Sequence, residues 1–466
     1  MSNPDTRQNM TARFYTACAH FRIVGLLATS LLVSMTSMAS ADVRLPAVID
    51  SHMVLQRDAP ITIWGWADAG EKVRVTIDQT SAAVVAADNG KWQVTLPPRK
   101  ADGKTHTVTI TGNNTITLQD ILIGEVWVGS GQSNMEWHLR RTQGPDEAIA
   151  AADFPNIRLF HVPKTQQPEA AEDVVADWKV CSPETIPEFS AVLYYYGRKL
   201  HQELNVPIGL INSSWGGSPI EPWTVTDGKG GGMYNGMIAP LTSFSIRGAI
   251  WYQGETNAIQ KNGLAYFDRM QALIEGWRKE WHPQLPFYFV QIAPCSNHYE
   301  DGQLPALWEA QVQSLKIPDT GMAVITDLVD NIADIHPQNK LDVGNRLALW
   351  ALNRTYGKDI VCSGPLFRTL TIEGNRARVA FAHDAGLQSR DGEPLSEFQI
   401  AGEDGSFVDA TAVIDGSTVV VSAESVAAPK HVRFGWHRTA NPNLVNEAGL
   451  PASPFQSNEW RGGTGE

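Results

Sequence analysis

The sequence predicts an α/β protein: a parallel sheet with helices on both faces, flanked by two small β-sandwich-like domains. Three observations predict it. Residues 42–118 and 363–466 show short segments of period two, broken by glycine turns. Residues 119–362 instead alternate short apolar runs with stretches of helical periodicity, the pattern of a sheet covered on both sides. Polar clusters rich in Ser, Gly, Gln and His follow those apolar runs, where an open α/β sheet places its ligands.

The chain opens with a segment of different character. Arg13, His20 and Arg22 precede an apolar run from Ile23 to Val33, and Ala39-Ser40-Ala41 satisfies the small-x-small rule for a signal peptidase. The run is about half the roughly 20 residues a spanning helix needs. Residues 1–41 are therefore expected to be a cleaved export signal, with Asp42 as the first mature residue and a periplasmic or extracellular product. No later stretch suits a membrane span. Removing the leader takes away Arg7, Arg13, Arg22 and Asp5 and moves the net charge from −13 to −15. An acidic chain repels phosphate backbones, so nucleic acid is not an expected partner. Oligomeric state is left open. Cys181, Cys295 and Cys362 remain; an odd number leaves at least one thiol unpaired within a single chain, and no CxxC or Cys/His cluster of zinc-ligand spacing occurs. No cofactor or metal is implied.

In the first β domain, Ile61–Trp66, Val73–Ile77, Trp92–Leu96 and Thr107–Ile110 read as strands, with turns at Ala69-Gly70, Asn89-Gly90 and Gly112-Asn113. In the α/β domain, Ile121–Val128, Ile208–Asn212, Gly248–Tyr252, Phe287–Ile292 and Met322–Leu328 read as buried strands. Helices are expected near Phe189–Leu204, over Leu264–Trp281 (where Phe267, Met270, Leu273, Ile274 and Trp277 recur at helical spacing) and at about Val343–Tyr356. In the last domain, Leu370–Ile372, Ala377–Phe381, Phe398–Ile400, Thr418–Ser422 and His431–Trp436 alternate again. Most of the 15 tryptophans are expected in cores, although Trp also stacks on sugar rings.

The strand ends carry the candidate chemistry. After the first comes Gly129-Ser130-Gly131-Gln132-Ser133-Asn134-Met135-Glu136, which places Ser133 at the start of a helix expected over Asn134–Arg141. Free N–H groups there favour negative charge developing on a substrate oxygen. Taken alone, this reads first as an N-cap serine, and Met135 rules out the Gly-x-Ser-x-Gly elbow. After the second comes Ser213-Ser214-Trp215-Gly216-Gly217, whose glycines can present an N–H at close range. After the third, Gln253 can donate a hydrogen bond, and Glu255 is either a site carboxylate or a buried acceptor. After the fourth, Asp334 stands two residues before His336, and Pro337 restricts the backbone at His336. An acid beside a His at a strand end is what a Ser/His/Asp arrangement requires.

At these residues the chain resembles the sialate O-acetylesterase family of the SGNH hydrolase superfamily. Gly131-Gln-Ser-Asn-Met, Ser214-Trp-Gly-Gly-Ser, Trp251-Tyr-Gln-Gly-Glu-Thr-Asn and Asp334-Ile-His-Pro-Gln-Asn-Lys are similar to its four blocks, with Gln in place of the third block's Asn. Met53-Val-Leu-Gln-Arg-Asp-Ala-Pro, Tyr234-Asn-Gly-Met-Ile-Ala-Pro-Leu and Asn446-Glu-Ala-Gly-Leu-Pro extend the resemblance over most of the chain. It implies an SGNH-like fold and an acetylesterase acting on sugars, either sialic acid or plant polysaccharides such as xylan and xyloglucan. It also implies Ser133 as nucleophile, His336 as base, and an oxyanion hole from Ser133, Gly216, Gly217 and Gln253. The acid departs from the superfamily pattern, since Ala333 stands three residues before His336. Asp334 is favoured by closeness, and Glu255 is its rival by analogy with the Gln-Gly-Glu segment of acetyl-xylan esterases. A non-catalytic carbohydrate-binding protein, or a lipase or thioesterase on the same scaffold, are the competing readings.

Overall fold

The computed structural model describes residues 42–459. The export signal expected over residues 1–41 lies outside them. A seven-strand path forms the central sheet, in the order Thr320–Ala323, Phe287–Val290, Gly248–Tyr252, Thr115–Gly131, Ile208–Ser214, Phe154–His161 and Trp178–Cys181. The first six run parallel, and Trp178–Cys181 closes the edge antiparallel. The inner strands Ile208–Ser214 and Gly248–Tyr252 are buried throughout, as a sheet covered on both faces demands.

The two faces can be read from side-chain alternation. Gly129 lies in register with Ile250, and a Cβ at Gly129 would run into Leu193 of the helix Ala191–Leu204. Trp251 points the other way, edge-on to Trp277 of the helix Tyr266–Glu280. Ala191–Leu204 packs against Lys340–Trp350 on the first face, where Gly344 abuts Val192 and Tyr195. Tyr266–Glu280 packs against Gln303–Gln313 on the second. Ser190 caps the first of these helices, accepting the Leu193 N–H at 3.2 Å, and Asn205 ends it in the left-handed conformation.

The strand Thr115–Gly131 runs through the boundary expected at residues 118 and 119. Its first part pairs antiparallel with His106–Thr111, and its last seven residues pair with Ile208–Ser214. One continuous core extends from Val43 to Cys362. At the join, the fully buried Glu125 carboxylate is held by Arg57 at 2.5 Å and Arg247 at 2.7 Å. The C-terminal region has a core of its own between two four-stranded sheets, built on Val379, Ile400, Val419 and Phe434.

Several local expectations are corrected. The helix expected over Asn134–Arg141 is a single turn, Ser133–Glu136, followed by a 3₁₀ turn at Leu139–Arg141. Trp137 leaves the helical region (ψ 116°) because the chain here is tied to its neighbours. The Ser190 hydroxyl donates to the Met135 carbonyl at 2.6 Å, and the Leu139 N–H to Phe189 at 3.0 Å. The strand expected over Met322–Leu328 pairs only from Thr320 to Ala323. The strands Phe154–His161, Trp178–Cys181, Thr80–Val85 and Thr411–Asp415 and the helix Gln303–Gln313 are additional to those expected. Cys181, Cys295 and Cys362 are buried and free.

Candidate active site

The ends of four neighbouring segments meet at one edge of the sheet. Gly131 adopts φ 136°, and a Cβ there would overlap the Tyr252 carbonyl, so glycine is required. The Gln132 N–H donates to that same Tyr252 carbonyl at 3.0 Å, and the Trp215 N–H donates to the Gly131 carbonyl at 3.0 Å. Three strand ends are thereby pinned together, and Ser133 begins the short helix directly above them.

Ser133 Oγ lies 2.9 Å from His336 Nε2. Asp334 Oδ1 lies 3.3 Å from His336 Nδ1 and accepts the His336 backbone N–H at 2.9 Å. The Trp137 indole stacks on the imidazole, with centroids 4.8 Å apart and planes 19° from parallel. Burial, and then the charge of Lys340, hold His336 below the ordinary imidazole range. A neutral imidazole beside the serine hydroxyl is the acceptor that general-base chemistry needs.

Glu255 occupies a different position. It is fully buried and its Oε1 accepts from Asn134 Nδ2 at 2.5 Å, while Oε2 has no partner among the described residues. Asn134 Nδ2 also donates to the Ile335 carbonyl at 3.0 Å, and Asn134 Oδ1 accepts from Lys340 Nζ at 2.5 Å. Glu255 thus reaches the His336 loop only through Asn134. Burial raises its carboxyl above the usual range, and burial lowers the Lys340 ammonium to about 7. Lys340 Nζ also lies over the rings of Trp137 at 5.6 Å and Tyr252 at 5.4 Å.

The expected oxyanion donors separate. Gly216 backs onto Ser133, but its N–H is taken by Glu136 Oε2 at 2.5 Å, and the other oxygen of Glu136 holds Lys164 Nζ at 2.6 Å. Neither the Ser133 N–H nor the Gly217 N–H has a hydrogen-bond partner among the described residues. Gln253 is directed inward. Its amide donates to Asn257 Oδ1 at 2.7 Å and to Gln132 Oε1 at 3.1 Å, and its carbonyl accepts from Tyr266 at 2.7 Å. It braces Gln132, the residue before the serine, rather than facing the reacting centre. A cleft of about 580 Å³ opens on the Glu136–Lys164 side, lined also by His138, His161 and Phe189. No group of three or more metal-ligating side chains occurs among the described residues.

Sequence reasoning gave no role to Asn134, Glu136, Trp137 or Lys340. Asn134 and Lys340 stand inside the first and last blocks. The signal available was chemical: an amide and a lysine beside an apolar strand end need partners when buried.

Comparison with known proteins shows the family. The family described as carbohydrate esterase, sialic acid-specific acetylesterase matches residues 123–353. The sialate O-acetylesterases of Pongo abelii and Homo sapiens are each 33% identical over 404 residues, covering 74% of this chain and 77% of theirs. A crystal structure of a carbohydrate acetylesterase from Xanthomonas citri superposes with a TM-score of 0.86 at 38% identity, covering 90% of this chain and all of that one. The chain is an ester hydrolase of the carbohydrate acetylesterase kind and belongs to the sialate O-acetylesterase family.

Proposed function

We propose that this chain removes O-acetyl groups from sugars through an acetyl-serine intermediate, with Ser133 as nucleophile. The observation that carries the proposal is the 2.9 Å contact between Ser133 Oγ and His336 Nε2, with Asp334 at the far nitrogen. His336 takes the hydroxyl proton as Ser133 Oγ bonds to the acetyl carbon. The oxyanion is met by the N–H groups of Ser133 and Gly217. The C–O bond to the sugar breaks, and His336 returns the proton to the leaving sugar oxygen. Water then attacks the acetyl-serine with His336 again as base, releasing acetate and restoring Ser133. Asp334 fixes the imidazole tautomer and stabilises the imidazolium. Glu255, isolated from His336, acts as an anchor for Asn134.

Sialic acid and acetylated xylan or xyloglucan are the substrates to compare, and the relatives' names favour testing the first. Export by the segment 1–41 would place the enzyme where such glycans are met. The test is turnover of 4-methylumbelliferyl acetate by wild type and Ser133→Ala, both checked for folding by circular dichroism. The variant should lose at least roughly 10³-fold in kcat/KM. A folded variant as active as wild type removes Ser133 from the mechanism. Rising activity from acetyl to octanoyl esters would assign a lipase or thioesterase instead.

A further inference from the structure

A second cleft, of about 450 Å³, lies between the first β region and the body of the α/β fold, and neither Ser133 nor His336 lines it. One wall is the antiparallel ribbon of Ile61–Trp66 and Lys91–Leu96. Its register pairs Trp64 with Gln93 and Trp66 with Lys91. Directly paired residues share a face, as do residues two apart on a strand, so these four side chains form one surface. Thr62, Trp64 and Trp66 are half-buried, whereas Ile61, Ile63 and Gly65 on the opposite side are buried. Trp64 and Trp66 therefore stand in a row on the cleft side of the ribbon, with Trp64 also reaching Phe244 at 6.5 Å between ring centroids.

Two polar groups beside this row are free. The Gln93 amide and the Ser243 hydroxyl line the same cleft and have no side-chain partner among the described residues. The charges nearby are a lysine–glutamate pair and one arginine over an indole. Lys91 and Glu172 meet at 2.7 Å, and Arg44 lies 5.0 Å above the Trp66 ring. A cleft combining aromatic surface with a free amide and hydroxyl suits a ligand with one apolar face and several hydroxyls. A pyranose ring has that chemistry. Its volume is within the range of small-ligand sites.

We propose that the Trp64–Trp66 cleft is a second carbohydrate site, holding a neutral sugar ring of a larger glycan apart from the ester that is cut. The proposal rests on the carbohydrate esterase reading, but its test does not need ester cleavage. Xylohexaose and lactose, neither acetylated, are titrated into the full chain while tryptophan fluorescence and heat are followed. At least one should bind, and Trp66→Ala or Gln93→Ala should weaken binding by roughly tenfold or more, the loss of one aromatic or hydrogen-bonded contact. The same variants should keep turnover of 4-methylumbelliferyl acetate within about twofold and raise KM on an acetylated glycan. Gln93→Ala, at an exposed strand position, guards against a Trp66 variant that fails to fold. Failure of both sugars to bind at millimolar concentration, or binding unchanged in both variants, overturns the proposal. So does loss of a dimer in Trp66→Ala by sedimentation, which would make this face a contact between copies. Wild type that binds sugar yet releases no acetate would leave this site standing and sink the esterase reading.

Discussion

Exchanging Asp334 for Asn, set beside Glu255→Gln, separates the two carboxylates by their distance from His336. Asp334 faces His336 Nδ1 at 3.3 Å with its side chain 43% exposed. Two unit charges at that distance interact by about 1.3 kcal/mol in water and about 5 kcal/mol at an effective dielectric near 20. Exposure keeps the value toward the lower end, at about 1.5–2.5 kcal/mol of imidazolium stabilisation, or roughly 10- to 70-fold in kcat/KM. That loss is smaller than for a deeply buried triad acid. Glu255 makes no contact with the imidazole, and glutamine retains an oxygen for Asn134, so Glu255→Gln should cost less than about fivefold. Steady-state release of 4-methylumbelliferone from the acetate, with both variants confirmed folded, reads the two numbers. A loss above about 10³-fold in Glu255→Gln, with Asp334→Asn near wild type, would refute this reasoning and make Glu255 the acid.

Other consequences are equally open to measurement. The contacts through Trp137 put Lys340 Nζ and the His336 ring no more than about 10 Å apart, a separation worth roughly one pH unit at an intermediate dielectric. The Lys340 cation disfavours protonation of His336, so Lys340→Met should move the acid limb of kcat/KM upward by up to about one unit; an unmoved limb would detach Lys340 from the base. Gly131→Ala drives a Cβ into the Tyr252 carbonyl and should lower kcat by about 100-fold through misplacement of Ser133, checked by kinetics on folded protein. Glu125→Ala leaves Arg57 and Arg247 without their carboxylate and should cost about 2–3 kcal/mol in urea unfolding, with a loss under about 1 kcal/mol speaking against a structural role for the cluster.

The fold was legible where periodicity was strong. Gly248–Tyr252 forms with the bounds its apolar run suggests, and Leu264–Trp281 differs from its helix by a residue or two at each end. Phe154–His161 was hidden by Pro155 and a mixed burial pattern, and it gains strand character by pairing with Ile208–Asn212, far along the chain. The helix Gln303–Gln313 carries Pro305 in its first turn, where no intrahelical donor is lost. At the site, Ser133, Asp334 and His336 were legible because strand ends concentrate polar residues there. The occupation of the Gly216 N–H by Glu136, the inward turn of Gln253 and the stacking of Trp137 on His336 were not legible, since each depends on contacts between segments distant in sequence.

The strand Thr115–Gly131 is 17 residues long, about 55 Å when extended. One end belongs to the ribbons of the first β region and the other delivers the serine. A strand shared in this way gives the two regions a covalent and hydrogen-bonded path through one another, across the left-handed turn at Asp120. Amide exchange at Val126–Ser130 should therefore report on events beyond the catalytic edge. A ligand seated far from Ser133, against the first β region, would slow exchange in the very segment that carries the nucleophile.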